Sequence, residues 1–257
     1  MKTNPDTQID KHQTPQNETH IEPPSPNTSS RVASVLSKIY KWSELQRFGK
    51  PLADSHIIPH KTPIDNKYLL QHNQWAPFSA LTFVDEQLKK GIVVGCIIDL
   101  TNHDMIYDVR SVMVPRDPER HFAECTVNCT CPKMPLKHVR IQCVSKEFPD
   151  NTIIKNFCET VDDFVQQFPN HYVGVHCSYG FNRTGFIVCS YLVESCHMHI
   201  SDALKAFAQS RVPGIKHQNF VDELIKRYGH EGPNVQEDQH DISQKCKLSI
   251  DNNNTHP

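Results

Sequence analysis

Glycine is scarce in this chain of 257 residues, with 9 in all, while prolines number 18. That balance excludes collagen-like and glycine-rich repeats. Long hydrophobic runs are missing too. The longest, Gly91 to Leu100 (GIVVGCIIDL), falls far short of the ~20 apolar residues a membrane-spanning helix needs. The N-terminus, MKTNPDTQIDKHQTPQ, has no apolar core of the kind a secretory signal carries, so neither export nor a membrane partner is expected. Nor does one sign of charge prevail: 27 Lys+Arg against 29 Asp+Glu leave a net −2. Without a global basic field, any polyanion must be held by a local site. The 10 cysteines lie mostly within apolar runs, a usage that fits a reducing compartment better than a disulfide framework. An intracellular monomer is the expectation.

What is present is unevenly spread. Residues 1–30 hold five prolines and three apolar residues (Met1, Ile9, Ile21), too few to offset ordering entropy by burial. The segment 1–37 is therefore expected to be a disordered tail, and 232–257, polar again, a second one. No internal repeat is visible. Between them lies one domain, 38–231. Gly91–Leu100 reads as a buried strand, His138–Val144 as a second and His171–His176 as a third. Asp150 or Asn151 caps a helix through Phe168 whose Ile154, Phe157, Val161, Phe164 and Phe168 share one face. Thr184–Ser195 reads as a central helix. Ser201 caps another, with Leu204 and Phe207, and Phe220, Leu224, Ile225 and Tyr228 mark the last. Strands alternating with helices predict an α/β fold with a mainly parallel sheet.

The junction of the third strand with the central helix reads His176-Cys177-Ser178-Tyr179-Gly180-Phe181-Asn182-Arg183-Thr184-Gly185. Successive backbone N–H groups of Ser178, Tyr179, Gly180, Phe181 and Asn182 can converge there, and a helix N-terminus adds partial positive charge. That cradle fits a phosphoryl group. The same field favours a Cys177 thiolate able to attack phosphorus in line. Arg183 can clamp two oxygens bidentately, and Thr184 can donate its hydroxyl to the leaving thiolate. Gly180 and Gly185 permit the tight turn and close backbone approach. Cysteine-x5-arginine alone is a common pattern. Its flanking His and Thr-Gly, in a strand–loop–helix context, give it meaning.

HCSYGFNRTG resembles the signature of the cysteine phosphatases, and its Gly-Phe-Asn-Arg-Thr-Gly form is similar to their RNA 5′-triphosphatase branch. That branch comprises the triphosphatase domain of animal mRNA capping enzymes and a stand-alone RNA phosphatase relative. Trp42 with Gly49 and Pro51, His60-Lys61-Thr62-Pro63, Ile98-Asp99-Leu100-Thr101-Asn102 with Tyr107-Asp108, and Phe207 through Tyr228-Gly229 agree with it. The resemblance spans 41–230. It implies a three-layer α/β phosphatase fold, no metal or other cofactor, and a cysteinyl-phosphate intermediate. Between Tyr107 and Cys143 the chain exceeds the family pattern by roughly twenty residues, an insertion at about 112–136. The loop Cys143–Asp150 (CVSKEFPD) is closer to the stand-alone relative.

Phosphatases of this fold carry a general acid on a loop before the nucleophile. Here the loop offers Glu147 and Asp150, but the expected position near Ser145 is not acidic, and Asp150 reads as a helix cap. A missing acid favours a phosphate anhydride, whose leaving group is a stabilised anion, over a phosphoserine-type ester. Asp99, at a strand's C-terminal end, is a further catalytic candidate, although it could equally orient the loop. Arg211 is a candidate ligand for a β-phosphate. Lys61 and Lys216 read as solvated. His121, Cys125, Cys129 and Cys131 are zinc-type ligands whose spacing matches none of the usual CxxC pairs, so they read as part of a disordered insertion.

The expected function is removal of terminal phosphate from 5′-triphosphorylated RNA, or from its diphosphate, by Cys177, Arg183 and Thr184. A dual-specificity protein phosphatase is the first alternative and a non-catalytic RNA-end-binding module the second. No nucleotidyl-transfer lysine motif follows, so capping would need a separate guanylyltransferase or other RNA-processing proteins as partners.

Overall fold

The computed structural model describes residues 36–229 except 54, 70–76 and 126–129. Apart from Leu36 and Ser37, both expected tails lie outside the described residues. The elements run α1 (Ile39–Ser43), β1 (Ile57–Lys61), α2 (Asn66–Leu69), α3 (Ala80–Leu88), β2 (Val94–Asp99), β3 (Met113–Pro115) and α4 (Pro118–Glu124). Then come β4 (Lys133–Pro135), β5 (Lys137–Arg140), α5 (Asn151–Gln167), β6 (Tyr172–Cys177), α6 (Asn182–Glu194), α7 (Ile200–Ser210) and α8 (Gln218–Tyr228).

A four-stranded sheet in the order β1-β6-β2-β5, parallel throughout, forms the middle layer. β2 is buried along its whole length, as its continuous apolar run requires of a strand covered on both faces. β1 carries Pro59, which a central strand would not tolerate but an edge strand does. Its carbonyl is still used, accepting from Gly49 N–H at 2.7 Å. The register pairs Lys61 with Cys177, and Asp99 with both His176 and Arg140. These residues therefore share the C-terminal edge of the sheet, where open α/β sheets bind ligands.

On one face α6 packs on the sheet among α5, α7 and α8, joining Phe157, Phe186, Phe207 and Phe220 into one core. On the other, Trp42, Phe78, Phe83 and Val84 form a second. The α/β three-layer expectation holds. In α5, Asp150 accepts from Ile153 N–H at 2.8 Å, and Ile154, Phe157, Val161 and Phe164 are buried on the predicted face.

Four expectations need correction. β5 ends at Arg140 rather than Val144, because the chain leaves the sheet there to send the Cys143 carbonyl to Arg183. His199, not Ser201, caps α7, its Nδ1 accepting from Ser201 N–H at 3.2 Å. Ile225 of α8 is 48% exposed, while Phe220 and Leu224 are buried and Tyr228 packs against the core. The described part of the insertion is ordered. β3 and β4 pair antiparallel around α4, and Val112, Val114, Met134 and Leu136 are buried in the second core. That apolar set, alternating along each strand, is what anchors it. The structure also adds α3, which Ser79 caps by accepting from Thr82 N–H at 3.1 Å.

Candidate active site

The loop from Cys177 to Asn182 turns from β6 into α6. Gly180 adopts φ +74°, and a Cβ there would collide with the His60 carbonyl. Gly185 faces Ile215 and Phe207 so closely that any side chain would displace them. Both glycines are steric necessities of the loop. The first residue before α6, Phe181, gives no side-chain cap, so the helix N-terminus leaves its orphan N–H groups to the loop's concavity.

Cys177 sits at the base and is 4% exposed. Its backbone N–H donates to Thr184 Oγ1 at 2.9 Å, which leaves that hydroxyl's proton for the sulfur. Burial opposes a thiolate, but the Arg183 guanidinium, the Thr184 hydroxyl and N–H, and the Gly180 N–H outweigh it. The Cys177 thiol is held below its ordinary value. Arg183 donates through Nη1 to the carbonyls of Cys143 (2.7 Å) and Leu100 (3.3 Å), and through Nη2 to Ser178 Oγ (3.1 Å). Its position is thus set before any ligand arrives.

Behind the loop runs a buried hydrogen-bond chain that no sequence motif discloses. Thr62 Oγ1 donates its proton to the Cys177 carbonyl at 2.9 Å, so it accepts from His176 Nδ1 at 3.2 Å. His176 Nε2 then accepts from the Tyr107 hydroxyl (2.7 Å), whose oxygen accepts from His138 Nε2 (2.8 Å). Every proton points toward the Cys177 peptide. Burial lowers His176 to about 4, so the ring is neutral as this polarity requires.

His60, His103, His138 and His171 are likewise held below the ordinary histidine value, by burial before all else. In the unfolded chain these rings take up protons near pH ~6.5, whereas in the fold they resist until lower pH. Stability should therefore be complete above pH ~6.5 and fall toward pH 4, His176 alone accounting for roughly 3 kcal/mol. Urea midpoints between pH 7.5 and 4.5 test this; a flat profile would sink the neutral-ring assignment.

Two adjoining cavities open over the loop. One, of about 350 Å³, is lined by Trp42, Thr62, Ile64, Asn102, His103 and Ser145 with the loop's Ser178, Tyr179 and Arg183. The other, of about 650 Å³, reaches Cys177 and includes Lys38, Lys41, Lys146, Lys216 and Arg183. Its one carboxylate among the described residues is Glu44. A deep Cys177 thiol held below its ordinary value, with a preset arginine and a cationic approach, suits in-line attack on a phosphoryl group.

Similarity to known proteins points the same way. Residues 106–229 match the dual specificity phosphatase catalytic domain. The chain thus resembles the dual-specificity cysteine phosphatases. It is 32% identical over 193 residues to an mRNA-capping enzyme of Danio rerio, covering 74% of this chain and 28% of that protein. It is 28% identical over 200 residues to the RNA/RNP complex-1-interacting phosphatase of Mus musculus, covering 76% of this chain and 55% of that one. A tyrosine-protein phosphatase of Autographa californica nuclear polyhedrosis virus is 28% identical over 189 residues, covering 72% and 97% respectively. The chain spans little more than a quarter of the capping enzyme, at 28%.

In this chain the loop residues Cys177, Ser178, Tyr179, Gly180, Phe181, Asn182, Arg183 and Thr184 come together as the sequence predicts. The Asn182 side chain serves a separate purpose. Its Oδ1 accepts from Lys216 N–H (2.8 Å) and His217 N–H (3.0 Å), tying the loop to the start of α8. Lys216 is solvated as expected, with Nζ 4.1 Å from the Phe181 ring centroid. Asp150 is occupied as a helix cap, and Glu147 lines neither cavity.

Asp99 is not a group that meets substrate. It is 1% exposed, and its Oδ1 accepts from Thr101 N–H (2.8 Å) and Thr101 Oγ1 (2.6 Å), while Oδ2 faces Arg140 Nε at 3.3 Å. Burial works against its charge, but His176, the Thr101 donors and Arg140 hold its carboxyl below the usual range. It braces the edge of the sheet on which the loop stands. Lys61 is buried rather than solvated, donating to the Trp42 and Leu45 carbonyls over the Trp42 ring and pushed down to about 8 by burial first.

Arg211 also needs correction, because no part of it is exposed. Its Nη2 donates to the carbonyls of Tyr179 (3.0 Å) and Gln46 (2.9 Å), and its guanidinium lies 4.5 Å from the Phe181 ring centroid. Closed off this way, it supports the loop from beneath and has no path to a second phosphoryl group. Arg211→Met should strand two buried carbonyls and cost about 2 kcal/mol of stability. It should also lower turnover of every substrate by the same factor. Melting curves and parallel assays on RNA and peptide test both parts; a loss confined to RNA would restore the ligand role.

Proposed function

We propose that this phosphatase removes phosphate from the 5′-triphosphate end of RNA. The observation that carries the reading is the cavity over Cys177. It offers lysines and Arg183 to a polyanion, yet at the loop position where a proton donor would stand it presents Ser145. An anhydride's leaving phosphate needs little protonation, while an ester's alkoxide needs much. The names of the capping-enzyme and RNA/RNP complex-1-interacting relatives support the same substrate class.

Cys177 Sγ attacks the terminal phosphorus, forming S–P as the bridging P–O bond breaks and the shortened RNA departs as an anion. Arg183 and the amides of residues 178–182 hold the equatorial oxygens. Water then attacks the cysteinyl phosphate, and the thiolate leaves toward the Thr184 hydroxyl. A guanylyltransferase activity acting downstream and a nuclear location are part of the same proposal.

The viral tyrosine-protein phosphatase is the observation behind a second reading, hydrolysis of phosphoproteins. Product analysis on RNA labelled at the γ- or β-phosphate decides between them. Release of the γ-label supports the proposal, release of the β-label as well extends it to the diphosphate, and release of neither overturns it.

A further inference from the structure

The insertion between β3 and β4 holds a cluster that the phosphatase chemistry does not use. α4 runs Pro118–Glu124 with Cys125 as its C-terminal cap, so His121 and Cys125 stand one turn apart on one face. The returning chain brings Cys131 against them just before β4. The His121 ring, Cys125 and Cys131 each offer a ligand atom within 4.8 Å of one another, and His121 Nδ1 lies 3.3 Å from Cys131 Sγ. We propose that His121, Cys125 and Cys131 bind a structural zinc ion that clips α4 to the start of β4.

Tetrahedral zinc with ordinary Zn–S and Zn–N bonds separates its ligand atoms by about 3.6–3.8 Å. The observed spacings, one of 3.3 Å and none above 4.8 Å, lie close to that value. Two thiolates and an imidazole are soft ligands that exclude magnesium and calcium and select zinc. Spacing along the sequence argues against zinc only because no CxxC pair is present. A helical i,i+4 pair joined by a third ligand from a returning strand needs no such pair.

The surroundings give the site a purpose. α4 buries only Pro118, and a helix of 7 residues is not stable by propensity. Its polar tethers include Asp117 accepting from Arg120 N–H (3.0 Å), Arg116 N–H donating to the Pro132 carbonyl (2.9 Å), and Asn170 Nδ2 donating to Glu119 Oε1 (3.0 Å). A metal closing residues 121–131 replaces the missing apolar contact by ligation. Cys129 lies outside the described residues and is no part of the site, so a solvent oxygen would complete the tetrahedron. The insertion is joined to the N-terminal end of β6, where His171 Nε2 donates to the Pro115 carbonyl (2.9 Å). Cys177 closes the other end of that strand, so the ion stands apart from the chemistry.

The test uses the full chain under reducing conditions. Metal content after gel filtration should be close to a single zinc per chain. Cobalt titration of the chelated protein should give thiolate-to-cobalt charge transfer and the strong visible bands of a tetrahedral site. Cys125→Ser and Cys131→Ser should each weaken zinc binding at least ~10-fold, since loss of even an outer-shell partner costs that much. Cys177→Ser should keep the cobalt spectrum, which separates this site from the nucleophile. Chelation should speed proteolysis within 117–131 while phosphatase turnover persists, and that turnover also shows that the Cys125 and Cys131 variants are folded. Metal-free protein from zinc-supplemented cells, zinc undiminished in the Cys125→Ser/Cys131→Ser double variant, or a Cys125–Cys131 disulfide in place of metal uptake would each overturn the proposal.

Discussion

Cys177→Ser should abolish turnover on every substrate, by at least ~10³-fold, the scale seen when a covalent nucleophile is removed. The site is built to stabilise a charged sulfur. Arg183, Thr184 and the Gly180 N–H act together against the cost of burying Cys177. A serine hydroxyl in the same place stays protonated, because its acidity is far lower and burial lowers it further. The amide cradle and Arg183 do not depend on the sulfur. Arg183 is held by the Cys143 and Leu100 carbonyls, and the turn is held by Gly180 against the His60 carbonyl. Substrate affinity should therefore survive, and the variant should retain triphosphorylated RNA on a column that it cannot process. Rapid-quench labelling of the parent should trap phosphate on Cys177. Turnover of the serine variant within tenfold of the parent would end the covalent mechanism.

Triphosphorylated RNA should be hydrolysed at least ~100-fold faster in kcat/KM than a phosphotyrosine or phosphothreonine peptide, the usual worth of a missing proton transfer. The lining over Cys177 places Ser145 and Lys146 where the family's acid loop passes. Asp150 spends its carboxylate on the Ile153 N–H. Glu147→Ala and Asp150→Ala should accordingly cost little on RNA, Asp150→Ala showing mainly the ~1 kcal/mol loss of a helix cap in its melting curve. Glu44, at the cavity rim, provides the sharpest control. If Glu44→Gln or Asp150→Ala lowers RNA turnover tenfold or more, a carboxylic acid does serve the leaving group. Peptide turnover equal to that of RNA would likewise transfer the assignment to a protein phosphatase.

Local pattern determined a great deal about this protein. The apolar face of α5, the buried run of β2 and the strand–loop–helix at Cys177 are each contained in a short window, where periodicity and spacing carry the physics. The same window holds Cys177, Arg183, Thr184 and both sterically required glycines, so the geometry of the candidate loop was legible almost entire. Edge strand β1 was not, because Pro59 disguises it and only pairing with β6 makes it a strand.

Tertiary structure alone decided what the charged and polar residues outside that window do. Asp99, Lys61 and Arg211 carry charges that a sequence reader sends to substrate or solvent, and the fold buries all three. Their partners are distant in the chain: Arg140 for Asp99, Trp42 and Leu45 for Lys61, Gln46 and Tyr179 for Arg211. The chain of Thr62, His176, Tyr107 and His138 draws on four separate segments, as does no motif. The zinc-type ligands follow the same rule, since what selects a ligand set is where the returning strand sets Cys131, not its count from Cys125. Periodicity reports which face of an element is apolar. Which buried polar atoms meet is fixed only when layers pack, because each must find a partner or lose the free energy of its hydration.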